Sequence, residues 1–142
     1  MPPKPLTHYG LPVSRALIVL IFLLNGFGVI DQSRAAQEMV ERGAPEQLAQ
    51  LFVMAGRIAQ ILAGLSLLVG FRERWAASIL FLFLVPATLI AHNFWASSGP
   101  QFQAQVVNFS KNLAILGGLL FIVCREAPRR VEKTIQGAGS LS

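Results

Sequence analysis

Three residues able to hold or move charge lie inside segments that are otherwise apolar: Arg57, His92 and Lys111. The carboxamides Asn25, Gln60, Asn108 and Asn112 are among those that share these segments, and Trp95 closes one of them. No acid accompanies them; Asp31 ends the first run and Glu46 precedes the second. Cations and amide donors without acids form a set for receiving a carbonyl oxygen or an anion, because fixed donors stabilise negative charge at such an atom. They are not a set for metal or nucleophilic chemistry. One cysteine, Cys124, and two histidines, His8 and His92, are too few for a disulfide, a thiol pair, an iron–sulfur cluster, a bis-histidine haem or a zinc centre. Glycine-rich phosphate loops and nucleophile elbows are absent from the sequence. No catalytic or metal-ligating residue is therefore assigned and no intrinsic cofactor is expected. Redox chemistry would need electrons from a partner, so enzymatic activity stays open.

Spacing says where these groups sit. Counted from the external end of each run at ~1.5 Å per residue, His92 lies ~5 Å deep, Asn25 and Lys111 ~9 Å, and Arg57 ~13 Å. Helical periodicity puts Asn108, Lys111, Asn112 and Ile115 on one face. It does the same for Arg57, Gln60 and Gly64, and for Thr88, His92 and Trp95. Intramembrane ionisable groups avoid lipid, so these faces are expected to point inward around an outer-leaflet polar pocket. The competing readings are local. Lys111 can snorkel to the surface along its stem, His92 can be a wet interfacial histidine, and Asn25 and Gln60 can be interhelical hydrogen-bond glue.

The elements that position them follow from composition. Of 142 residues, 54% are hydrophobic and 13% charged, whereas soluble domains carry roughly 25% charged residues. So short a chain cannot bury that much apolar surface within itself, and the surplus must face lipid. Residues 12–31, 48–70, 75–95 and 105–124 are four apolar runs, each matching the ~30 Å hydrocarbon thickness at ~1.5 Å per residue. Trp75 and Trp95 bracket the third run, as indole rings at the two membrane interfaces would. A soluble four-helix bundle needs a polar face on each helix, and none of the runs has one. The first run is read as a span and not a cleaved signal, since no A-x-A-like site follows it. The expected fold is all-α: an integral membrane bundle of four transmembrane helices.

Charge orients that bundle. An even number of spans puts both termini and the middle connector on one side, with Lys4, Arg15, Arg72, Arg74, Arg125, Arg129, Arg130 and Lys133. The other side holds Arg34 and Arg42 beside Asp31, Glu38, Glu41 and Glu46. Basic loops stay cytoplasmic, so the expectation is N-in and C-in, with a net charge of +5 that suits anionic lipid. Clustered basics with interleaved aromatics on a soluble face are missing, which excludes nucleic acid as a partner. The chain then divides into an N-terminal tail (1–12), the four-span domain (13–124) and a basic, disordered tail (125–142). "FRER" (71–74) reads as a tight hairpin and 96–104 as a short external loop. In the first external loop, "SRAAQEMVER" before Gly43 and Pro45 reads as a short interfacial helix.

The segments "LIFLLNGFGVID", "MVERGAPE", "LAGLSLLVGFRERWAA", "HNFW" and "NFSKNLAILGGLL" together resemble the DoxX family of four-span bacterial membrane proteins, over about residues 13–124. The positions that carry over are His92, Trp95, Asn108, Phe109, Lys111 and Asn112. The resemblance implies a small transmembrane bundle in the bacterial inner membrane. It also implies a link to membrane oxidoreductase systems, a thiosulfate:quinone oxidoreductase subunit among them. Two functions compete. One is an accessory redox subunit holding a quinone or similar lipophilic or anionic molecule, with Lys111, Arg57, His92 and Asn112 as donors and Trp95 or Phe109 stacked on the ring. The other is a non-catalytic scaffold or assembly subunit. Membrane lipids and a membrane-protein partner or oligomer are the expected neighbours. An anion carrier is disfavoured, because no inverted repeat with broken helices is visible.

The orientation is tested by cysteine labelling in a Cys124→Ala background. Ser98→Cys should react with an impermeant reagent from the periplasmic face, and Ser140→Cys only after the membrane is opened. The reverse pattern would overturn it.

Overall fold

The computed structural model describes residues 5–31 and 33–125, with side chains from Tyr9 onward. The expected tail at 125–142 therefore lies, from residue 126, outside the described residues. The described chain runs α1 (Pro5–Gly26), α2 (Ser33–Glu41), α3 (Glu46–Val69), α4 (Glu73–Ala91), a single 3-10 turn (Phe94–Ala96) and α5 (Pro100–Cys124). Four stretches, Tyr9–Gly26, Glu46–Val69, Glu73–Ala96 and Pro100–Cys124, are long and apolar enough to cross a membrane. The all-α, four-span expectation is met, and α2 is the short helix expected in the first loop.

Helix ends depart from the apolar runs for backbone reasons. The first run was expected to continue to residue 31, but α1 stops at Gly26. Gly28 takes a left-handed φ of 78°, its N–H bonds the Asn25 carbonyl, and the Val29 N–H bonds that of Leu24. That double bond over a left-handed glycine is a Schellman stop, and it recurs at Gly43 and Gly70. At the other extreme, α5 starts at Pro100, five residues before its apolar run, with proline at the first helical position where its missing N–H costs nothing.

The interior is small. Among the described residues the buried apolar side chains are Val19, Phe22, Leu67, Leu80, Leu84 and Leu119 with four alanines, while Leu17, Phe52, Leu62, Leu82 and Phe121 are more than 60% exposed. Lipid supplies the contacts of that outer surface. Helix α1 packs most closely on α3 and α4 on α5, α3 joins α4, and α1 meets α5 only sparingly. Glycines set the closest approaches. A Cβ added at Gly26 would lie 2.6 Å from Ile61 Cγ1 and 3.2 Å from the Arg57 carbonyl oxygen. At Gly56 a Cβ would lie 2.8 Å from Phe83 Cε2.

The two ends of the bundle are fastened differently. At the hairpin end, near 70–73, Glu73 accepts an ion pair from Arg15 of α1 and another, at 2.8 Å, from Arg125 just past α5. Arg74 Nε donates to the Val123 carbonyl at 2.9 Å. At the α2 end, His92 Nδ1 and Gln105 Oε1 are 3.0 Å apart and tie α4 to α5. Phe94 there meets Trp95, Phe102 and Phe109 edge-on, with centroids 5.1–6.2 Å apart.

Close packing at Gly26 makes a differential test. Gly26→Leu should cost about 1–3 kcal/mol, the range for overpacking. Gly117→Leu, where an added Cβ meets nothing within 4 Å, should stay within about 0.5 kcal/mol. Unfolding curves in detergent compare them; equal losses would refute the seam.

Candidate functional site

Arg57 sits midway along α3, twelve residues from that helix's hairpin end, or ~18 Å at the helical rise. Its guanidinium lies against the backbone of Gly28, where an added Cβ would collide with Nη2. Gly28 thus meets two demands at once, the left-handed stop of α1 and the room for Arg57. Arg57 lines a half-open cavity of about 510 Å³. Val53, Met54 and Gln50 of α3 form one wall, Ala36 and Ser33 of α2 another, and Gly28 and Asp31 the link from α1.

Among the described residues no hydrogen bond or ion pair closes on Arg57. Asp31 is the nearest candidate, and its oxygens are already engaged. Oδ1 accepts the Ser33 N–H at 2.8 Å and Oδ2 the Ser33 hydroxyl at 2.7 Å. Those bonds, the backbone one foremost, hold the Asp31 carboxyl below its ordinary value of 3.8, with smaller help from the charges of Arg57 and Arg34. A depressed carboxylate favours the fold above 3.8, and that contribution is lost as pH falls through the lowered value. Asp31 is therefore a helix-capping anion that Arg57 feels at a distance. Arg57 keeps its planar fork of donors for something else.

The other residues singled out from sequence do not line that cavity. Gln60, one turn below Arg57, is wholly buried; Nε2 donates to the Gly56 carbonyl at 3.2 Å and Oε1 has no partner among the described residues. Asn112 reaches inward, its Nδ2 donating to Thr88 Oγ1 at 3.1 Å, and Thr88 in turn donates to the Leu84 carbonyl. His92 is engaged with Gln105. Trp95 is 58% exposed and bears on Phe94 and Phe109, so its ring contacts are with the protein's own aromatics. Asn25 and Asn108 are half-buried. Lys111 is exposed on α5, because adjacent helical positions point 100° apart and Asn112 takes the inward direction.

Of the three residues expected to share one pocket, Arg57 lines the cavity described here. The cavity at Arg57 is lined by α1, α2 and α3, with neither His92 nor Lys111 in its wall. Sequence reasoning missed Gly28, Ser33 and Gln50; the left-handed glycine in "NGFGVID" was the available signal. It also missed Phe94 and Phe102, and Glu73, whose partners are 58 and 52 residues away.

Comparison with known proteins points one way. A family model described as DoxX matches residues 10–93, a segment that contains every residue lining the cavity and ends before α5. The chain is similar to the inner membrane protein YphA of Escherichia coli strain K12, with 26% identity over 111 residues, 78% of either chain. No solved structure matches it.

The double duty of Gly28 is open to test. Gly28→Ala strains a left-handed residue and pushes on Arg57, so it should cost about 1–2 kcal/mol. Ala36→Gly, in the facing wall, should cost no more than about 1 kcal/mol of helix propensity. A spectroscopic probe placed at Met54 should register the displaced guanidinium only in Gly28→Ala. Silence there would mean Arg57 is not held by this contact.

Proposed function

The chain belongs to the DoxX family of membrane proteins, and on that premise we propose that it is a multi-pass bacterial inner-membrane protein whose Arg57 cavity holds a quinone or similar lipophilic, carbonyl-bearing or anionic molecule. It serves as the accessory subunit of a membrane redox system. The observation that carries this reading is Arg57 itself: a permanently charged guanidinium within a membrane-spanning helix, lining a cavity, bonded to no described side chain. An unpaired cation at such a depth costs several kcal/mol (of order 3) even on permissive scales, and an oxygen-bearing ligand would offset that cost with charge-assisted hydrogen bonds. The cavity's size falls within the usual range for small-molecule sites, about 300–1,000 Å³. Val53, Met54 and Ala36 suit a lipophilic body, while Arg57, Gln50 and Ser33 suit its oxygens.

The residues divide the work simply. Arg57 binds the oxygen, Gly28 lets the guanidinium approach, and Asp31 with Ser33 caps α2 so that this helix stands as a wall. Electrons come from and go to partner proteins. In the scaffold alternative the polar contacts fix helix register and the cavity stays without a dedicated ligand.

Solvent extraction of the purified protein separates the two. A bound quinone or related carbonyl lipid should be recovered from the native chain and fall about tenfold with Arg57→Gln, a loss of about 1.4 kcal/mol. Lys111→Met, on a different face, should leave recovery unchanged. Equal recovery from native and Arg57→Gln protein, or no such compound in either, would favour the scaffold.

A further inference from the structure

At the hairpin end one carboxylate serves two guanidiniums. Glu73 is 18% exposed and lies between Arg15, 19% exposed, and Arg125, 35% exposed. The group keeps a surplus positive charge, and Arg74, held to the Val123 carbonyl through Nε alone, adds to it. Each guanidinium carries five N–H donors. Arg15 and Arg125 each spend one on Glu73, and no other acceptor among the described residues meets them. Surplus charge and unspent donors in a half-buried place are costly unless an anion answers them.

The depth of the cluster says which anion. Arg125 directly follows the last turn of α5. Trp75 and Phe71, at the same end, are 70% and 63% exposed, and an indole at a span's end marks headgroup level. The anion that a bilayer presents there is a phosphodiester, which matches the arginine fork in a bidentate manner. A net positive cluster repels the ammonium of a zwitterionic headgroup, so a lipid of net negative charge is preferred.

We infer that Arg15, Arg125 and Arg74, arranged around Glu73, bind the phosphate of an anionic phospholipid in the leaflet at the hairpin end. Glu73 is the internal anion of the site. It holds the two arginines in place and shares them with the lipid. The site is separate from the Arg57 cavity and does not depend on the function proposed for it.

The test uses the full chain in nanodiscs of phosphatidylcholine, with or without phosphatidylglycerol, and reads the thermal midpoint. Phosphatidylglycerol should raise the midpoint of the native protein by several degrees, as expected for a ligand of the folded state. Glu73→Gln should melt lower in phosphatidylcholine and gain more from phosphatidylglycerol than the native chain does, because the phosphate replaces the lost carboxylate. Arg125→Gln should lose most of the gain; should it not fold, Arg74→Gln reads the same arm. Arg42→Gln, at the opposite end, should keep the gain in full. Equal gains in the native, Glu73→Gln and arginine variants would overturn the site. So would a gain reproduced in detergent by inorganic phosphate, which would make the ligand a free anion and not a lipid.

Discussion

Lipid tails are as apolar as leucine, so a bilayer gives transmembrane helices no hydrophobic reason to adhere. Everything that holds this bundle together obeys that constraint. Its helices touch where glycine removes the side chain, as at Gly26 and Gly56, and where a polar bond crosses between spans. Thr88 with Asn112, His92 with Gln105, and Glu73 with its two arginines are such bonds. The interior is narrow, and large side chains face outward. Stability rests on a few close contacts and cross-span bonds.

The same constraint gives Arg57 its meaning. Beside these cross-helix bonds, a guanidinium that answers to no described side chain stands out. Three carboxylates are spent elsewhere: Asp31 on the start of α2, Glu46 on Gln50, Glu73 at the far end. Among the described residues no acid lies within bonding distance of Arg57.

Legibility in the sequence follows the range of the interaction. Four spans, the short helix α2 and the stop at Gly43 were readable, because hydropathy and turn residues are local signals. The end of α1 was not: Phe27, Val29 and Ile30 extend the apolar run, while the left-handed Gly28 ends the helix, and hydropathy reports the solvent and not the dihedral. Arg57 was legible as an intramembrane cation, but its neighbours were not, since the α2 wall depends on how a loop folds back on α3. Lys111 and Asn112 are adjacent in sequence, and only packing against α4 decides which turns inward. Glu73 read as one more charge in a hairpin, because nothing local marks a residue whose partners lie more than fifty positions away.

The arrangement around Glu73 also bears on how the protein is made. Chains emerge from the ribosome N-terminus first, at about 5–20 residues per second. Arg15 is available to Glu73 as soon as α3 and α4 have entered the membrane as a hairpin. Arg125 becomes available only once the whole of α5 has been translated and inserted. Until then the carboxylate is half served, and α1 is joined to the hairpin without the clasp that brings in the last span. Closing the second bond is thus a chemical record that α5 has joined the hairpin.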